Sequence, residues 1–182
     1  MARVPYLDPD DLAEEDKSLL KRPINLHRAL AHSPAGARAF GGLGSWIRFG
    51  AKLDPRLREL AILQVGWQGK SPYEWSHHVK IGKDFGVTDA DVEALKQESA
   101  GKTSALEPLA RKVLKGAREM ADAGAMTRET YVSLAEDLDH ELMVELVIII
   151  AFYCGVVRAL ASLGIDVEES YQPHLDAHPL PD

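Results

Sequence analysis

Hydrophobic positions in this chain recur at helical spacing. Leu57, Leu60, Ala61 and Gln64 share one face of a stretch opening at Pro55, with Ile62 and Val65 nearby. No segment shows the sustained alternation of a half-buried strand. The β-branched run Val147-Ile148-Ile149-Ile150 would suit a buried strand on its own. It lies inside an apolar stretch from Leu142 to Leu163, and that length favours a helix.

Punctuation supports the same reading. Asp8-Pro9, Ser33-Pro34, Asp54-Pro55 and Ser71-Pro72 each place a capping residue before a proline suited to the first helical position. Thr88 and Asp139 are two further caps, and Gly86, Gly101, Gly124 and Gly164 stand where helices should stop. Together these signals predict helices near 9–20, 34–49, 55–68, 72–85, 89–98, 106–123, 128–137 and 140–163. The expected fold is an all-α multi-helix bundle.

Ala100 to Ser104 is the only good linker in the middle, and it is short. One domain over 1–182 is therefore expected, with a core of about 20–168. An N-terminal arm and helix occupy 1–19, and residues 169–182, with Pro173, Pro179 and Pro181, read as an extended tail. A faint internal repeat relates the segment from Leu53-Asp54 through Glu59-Leu60 to that from Leu138-Asp139 through Glu145-Leu146.

The Leu142–Leu163 stretch is long enough to span a bilayer, which takes about 20 residues. Glu145 and Arg158 inside it are costly at membrane depth, and no aromatic belt or basic flank supports insertion. It is expected to be a buried central helix, shared with a partner subunit, and not a membrane anchor. The excess apolar surface and the Pro-rich tail predict a homo-oligomer.

Composition narrows the function. The 182 residues carry 21 basic and 28 acidic side chains, a net charge of −7, which argues against a nucleic-acid partner. The single Cys excludes an intrachain disulfide and a two-thiol redox site, and makes the cytoplasm the default compartment. Met1 to Asp8 lack the apolar core of a signal peptide.

The densest reactive cluster is Ser71-Pro72-Tyr73-Glu74-Trp75-Ser76-His77-His78. Ser71, Glu74 and His78 fall on one helical face. His77 leaves the helix about 100° away. The two histidines are therefore not expected to face one small site together, and His77 is expected to matter less than His78. Glu59 stands among Leu60, Ala61, Ile62 and Leu63, where burial should raise its pKa unless a cation compensates. Ser71-x-x-Glu74 is equally a capping box. Tyr73 and Trp75 are packing residues or substrate contacts. His27, His32, His140, His174 and His178 have no partner pattern and read as structural or solvated.

Glu59, Ser71, Glu74 and His78 in that spacing resemble the carboxymuconolactone decarboxylase and alkyl hydroperoxidase D-like superfamily. The flanks from Asn25 to Leu30, Leu53 to Leu60, and Glu145 through Phe152-Tyr153 to Gly164 are similar to its decarboxylase-type members. In the peroxidase branch cysteines stand where this chain has Ser71 and Glu74. The resemblance implies an all-helical trimer or hexamer. It implies a cofactor-independent lyase or isomerase, without metal, acting on a small lactone or carboxylic acid from aromatic-compound degradation. Glu59, His78 and Glu74 are the implied catalytic residues, and Ser71, Tyr73 and Trp75 line the substrate site. Arg56, Arg58 or Arg158 would hold an anionic substrate. Thiol peroxidase chemistry is disfavoured for want of two thiols. Alternative readings are metal-assisted hydrolysis or hydration, with Glu59, Glu74 and His78 as ligands, and a non-catalytic helical scaffold or binding protein.

Overall fold

The computed structural model describes residues 2–181, and no strand occurs among them. Nine α-helices follow two short 3-10 turns: α1 Asn25–Leu30, α2 Pro34–Phe49, α3 Pro55–Gln68, α4 Pro72–Asp84, α5 Asp89–Ser99, α6 Pro108–Ala123, α7 Arg128–Ala135, α8 His140–Leu163 and α9 Gln172–Ala177. The side chains of Asp54, Ser71, Thr88 and Asp139 each accept an N–H from the first turn of their helix, as does Thr127 ahead of α7. Ser33 makes no such bond. Gly86, Gly101, Gly124 and Gly164 all adopt positive φ, the conformation that stops a helix at least cost in glycine.

Three features differ from the expected pattern. The segment predicted as one helix over 9–20 is two 3-10 turns, Pro9–Asp11 and Glu14–Leu20. A six-residue helix, α1, forms where no element was predicted. The C-terminal segment is not wholly extended. It folds into α9 and packs on α4, where Trp75 Nε1 donates to the His178 carbonyl at 2.6 Å. Only Leu20 of the early turns is buried, so that segment has no apolar stripe to hold it as a full helix.

Helix α3 is the axis of the bundle, with α4, α6 and α8 packed around it. Every residue from Leu57 to Gly66 is buried, so α3 is enclosed on all sides instead of on one apolar stripe. Helix α8 is long and apolar enough to cross a membrane, yet it buries Met143, Leu146, Ile149, Ile150, Val157 and Leu160 against the same core. Glu145 within it is buried and satisfied: its carboxylate accepts the backbone N–H groups of Lys52 and Leu53 at 2.7 and 2.8 Å.

The α3–α4 approach decides where the reactive side chains meet. A Cβ on Gly66 would lie 3.3 Å from the Trp75 backbone nitrogen and 3.5 Å from its Cα. Backbone cannot yield as a flexible side chain can. Gly66→Val should therefore wedge α3 from α4 and cost about 1–3 kcal/mol. Thermal unfolding checks this: at about 2–4 °C per kcal/mol for a chain of this size, a melting temperature equal to wild type contradicts the close contact.

Candidate functional site

Helices α3 and α4 bring Glu59, His78 and Glu74 together in the interior. His78 Nδ1 is 2.7 Å from Glu59 Oε2, and Nε2 is 3.0 Å from Glu74 Oε1. All three are at most 4% exposed. Glu74 and His78 meet because four residues separate them on one helix. Glu59 reaches across from α3 and also accepts Nε of Arg58 at 3.1 Å. The Arg58 guanidinium lies 4.4 Å above the Phe85 ring and donates to the Arg48 carbonyl.

Burial disfavours the His78 imidazolium, but the carboxylates of Glu59 and Glu74 outweigh it and push the pKa up to about 9. Both ring nitrogens then act as donors. Burial likewise opposes ionisation of Glu59. The His78 and Arg58 charges prevail and lower its pKa, contrary to the rise expected from its apolar neighbours alone. No group of three His, Cys, Asp or Glu among the described residues is arranged to hold a metal.

Beside this cluster lies a cavity of about 270 Å³. Its polar wall includes Glu74, His77, His78, Tyr73 and Tyr153; Ile24, Leu26, Phe40, Ile81, Phe152 and Val156 make it largely apolar. Tyr153 meets His78 edge-on, with centroids 5.1 Å apart. Burial beside Glu74 and Glu59 raises the Tyr153 pKa, so its hydroxyl stays a neutral donor. Arg22, Arg48 and His27 also line the cavity and supply positive or hydrogen-bonding groups. Burial lowers the His27 pKa.

Several sequence expectations need correction here. Ser71 does not line the cavity; its hydroxyl caps α4 by accepting the Glu74 N–H. The capping box is only half formed, because the Glu74 carboxylate turns to His78 and the Ser71 N–H donates to Gly66 O. Trp75 is fully buried against Trp67 and also lies off the cavity, whereas Tyr73 is on its wall. Arg56 is paired with Asp91 and Glu107, Arg58 with Glu59, and Arg158 donates to the Cys154 carbonyl, so the cavity's arginines are Arg22 and Arg48 instead. His27 lines the cavity, and His178 sits between Asp89 and Glu93.

His77 departs most from expectation. It is buried on the cavity wall, its Nε2 2.7 Å from Glu168 Oε2. Its ring lies between Tyr73 and Tyr171, at centroid distances of 4.1 and 3.6 Å. The Tyr73 hydroxyl donates to the same carboxylate at 2.9 Å, and the Asn25 N–H reaches it at 2.6 Å. Burial raises the Glu168 pKa, but the His77 hydrogen bond, with the Asn25 N–H, outweighs it and holds the carboxyl well below its ordinary range. The i, i+4 pairing of Tyr73 with His77 was a usable sequence signal. Glu168, in the loop after α8, had none.

The all-helical bundle is a known architecture. Residues 34–116 match the Carboxymuconolactone decarboxylase family. A cysteine-to-alanine variant of the debrominase Bmp8, in complex with 2,3,4-tribromopyrrole, superposes with a TM-score of 0.82 at 20% identity, covering 97% of this chain and 99% of that one. An uncharacterized peroxidase-related protein from Ralstonia eutropha, described as an alkylhydroperoxidase AhpD core, has a TM-score of 0.78 at 18% identity over 93% and 94% of the two chains. A second peroxidase-related protein, from Silicibacter, has a TM-score of 0.74 at 15% identity, with 93% and 92% covered. No curated protein matches the chain. The chain thus carries a stretch, residues 34–116, similar to the carboxymuconolactone decarboxylase family, within a fold that it shares over nearly its whole length with these solved structures.

The charge state of His78 has a measurable consequence. Its pKa is higher folded than the ordinary 6.5, so its pairing stabilises fully below about pH 6.5 and is lost as pH rises through about 9. Thermal stability should fall across that window, and the fall should shrink in Glu74→Gln. A His78 resonance titrating near 6.5 by NMR would contradict the buried imidazolium.

Proposed function

We propose that the protein is a lyase or isomerase of the carboxymuconolactone decarboxylase type, acting on a small lactone or carboxylic acid by acid–base catalysis. The observation that carries this reading is the Glu59–His78–Glu74 cluster, buried at the wall of a largely apolar cavity of about 270 Å³. That volume suits a ligand of roughly ten heavy atoms, below the drug-sized range.

Arg22 and Arg48, which line the cavity, offer a carboxylate its counter-charge. The ring of a lactone would then lie against the apolar wall. Loss of CO2 breaks a C–C bond and leaves its electron pair on the substrate, delocalised into the lactone carbonyl. The neutral Tyr153 hydroxyl can donate to that developing oxyanion. The proton that Nε2 of His78 shares with Glu74 is the one nearest the cavity, and it quenches the carbanion. Glu59 keeps the imidazole charged and oriented until then. Such a reaction delivers its electrons within the substrate and calls for no redox group. A thiol peroxidase mechanism finds no support here, since Ser71 caps a helix, Glu74 holds His78, and the free Cys154 lies buried off the cavity. That single unpaired cysteine also favours a cytoplasmic location.

The test is turnover of a panel of small lactones and their carboxylated forms, followed by CO2 release and by the position of the double bond. Glu59→Gln and His78→Ala should each lower kcat/KM by about 10²–10⁴-fold with an unchanged helical spectrum. Wild type and His78→Ala that behave alike across the panel would favour a binding or scaffold role.

Assembly as a homotrimer or hexamer is part of the same reading. Phe49 is 76% and Val144 57% exposed, on α2 and α8, and Phe49 also edges the cavity. Apolar side chains this exposed favour burial against another copy. Light scattering at micromolar concentration should give a mass above the 20.0 kDa of one chain; a monomer there removes the claim.

A further inference from the structure

The Glu59–His78–Glu74 cluster leaves unused a second carboxylate–imidazole pair, a buried His77 and a half-buried Glu168. We propose that His77 is a second acid–base residue of the same cavity, the base to the His78 acid, with Glu168 as its positioning carboxylate. The substrate class this pair fits is an unsaturated lactone that loses a proton from one carbon and gains one at another. The inference deepens the acid–base reading above and rests on it.

The geometry supports it in three ways. His77 and His78 are adjacent on α4, so their side chains leave the helix about 100° apart, yet both line the cavity. They can therefore face different atoms of one ligand, as a 1,3-proton shift divided between two residues requires. The His77 ring has only an edge to present, because Tyr73 and Tyr171 flank its two faces and Glu168 takes Nε2. Among the described residues, Nδ1 is paired with no protein group. The donors on Glu168, from Tyr73 and from the Asn25 backbone, keep it an ionised acceptor, which fixes the proton on Nε2 and the lone pair on Nδ1.

The protonation states also diverge in the required sense. Burial lowers the pKa of His77 despite Glu168, while the paired carboxylates raise that of His78. Two titratable groups pushed apart in one cavity divide the roles of base and acid.

The step balances within the substrate. Nδ1 of His77 takes a proton from the carbon between the carbonyl and the double bond. The C–H electron pair moves into the carbonyl and forms a dienolate, with Tyr153 placed to donate to its oxygen. A proton from the His78–Glu74 pair then adds at the distal carbon, and the double bond moves into conjugation. One proton leaves and one arrives, with no oxidant or reductant. Exchange with water resets both imidazoles.

The test uses α-angelica lactone and its carboxymethyl analogue in D2O, followed by proton NMR. Wild type should shift the double bond and introduce deuterium. His77→Gln should slow both by about 10²–10⁴-fold. His78→Ala should retain deuterium exchange at the carbon that His77 attacks while losing the shifted product. Glu168→Gln, which leaves the His77 ring in place, should lower kcat with little change in KM. That split would not follow if Glu168 only held the fold.

Labelling by diethylpyrocarbonate at neutral pH gives a readout without turnover. His77 should react at Nδ1 and be shielded by the carboxymethyl lactone, and His78 should resist. A wild type that shifts neither probe, or a His77 inert to the reagent, overturns this inference. His77→Gln as active as wild type beside an inactive His78→Ala also overturns it but leaves the acid–base reading standing. His78→Ala as active as wild type on every substrate sinks that reading as well.

Discussion

A protonated imidazole held between two carboxylates in the interior is the constraint on which this molecule turns. Removing one partner of such a buried pair costs about 3–5 kcal/mol. The surroundings of His78 therefore have to balance. Arg58 and His78 carry two positive charges, Glu59 and Glu74 two negative, all within the α3–α4 contact. The backbones must also come close enough for a glutamate to span the gap. Gly66, against the Trp75 backbone, and Gly82, whose Cβ would lie 3.7 Å from that of Glu59, keep it narrow. The chain has given up side-chain packing at both points.

This arrangement was legible in the sequence where it is local and obscure where it is not. The 3.6-residue repeat puts Glu74 under His78, and the Pro-headed helices announce their own starts. Glu59 was identified as the third member by its spacing within a resemblance to known proteins. The exception allowed for Glu59, a compensating cation, is the case that holds, but a run of aliphatic neighbours does not reveal an imidazolium arriving from another helix. Trp75 and Ser71 illustrate the opposite error. Both lie within the reactive octapeptide, but the helix turns them to the core and to the cap.

What remained hidden depends on segments far apart along the chain. Arg22 and Arg48 come to the cavity from the N-terminal half, and Glu168 from beyond the long α8 helix. Nothing in their local patterns distinguishes them from other surface charges. The C-terminal helix escaped notice for a related reason. It has six residues and owes its place to contacts made by α4, namely Trp75 with the His178 carbonyl and His77 with Tyr171. An element this short is marginal in isolation, so its stability lies in its tertiary partners.

The same contacts bear on why one helix can serve a cavity with two adjacent histidines. Successive side chains normally divide between a site and the core. Here α4 is covered on one side by α3 and on another by the segment that follows α8. The cavity is walled instead by α4, α8, α2 and the segment around α1, and it takes in both His78 and His77. Each imidazole is anchored by a carboxylate from a different covering element, Glu59 from α3 and Glu168 from the loop after α8. The difference in their charge follows from that division. Two carboxylates outweigh burial and enforce the imidazolium on His78. A single carboxylate, already satisfied by Tyr73 and a backbone N–H, leaves the buried His77 neutral between two aromatic rings. Two identical residues, one peptide bond apart, thus differ by a proton through the partners the fold assigns them.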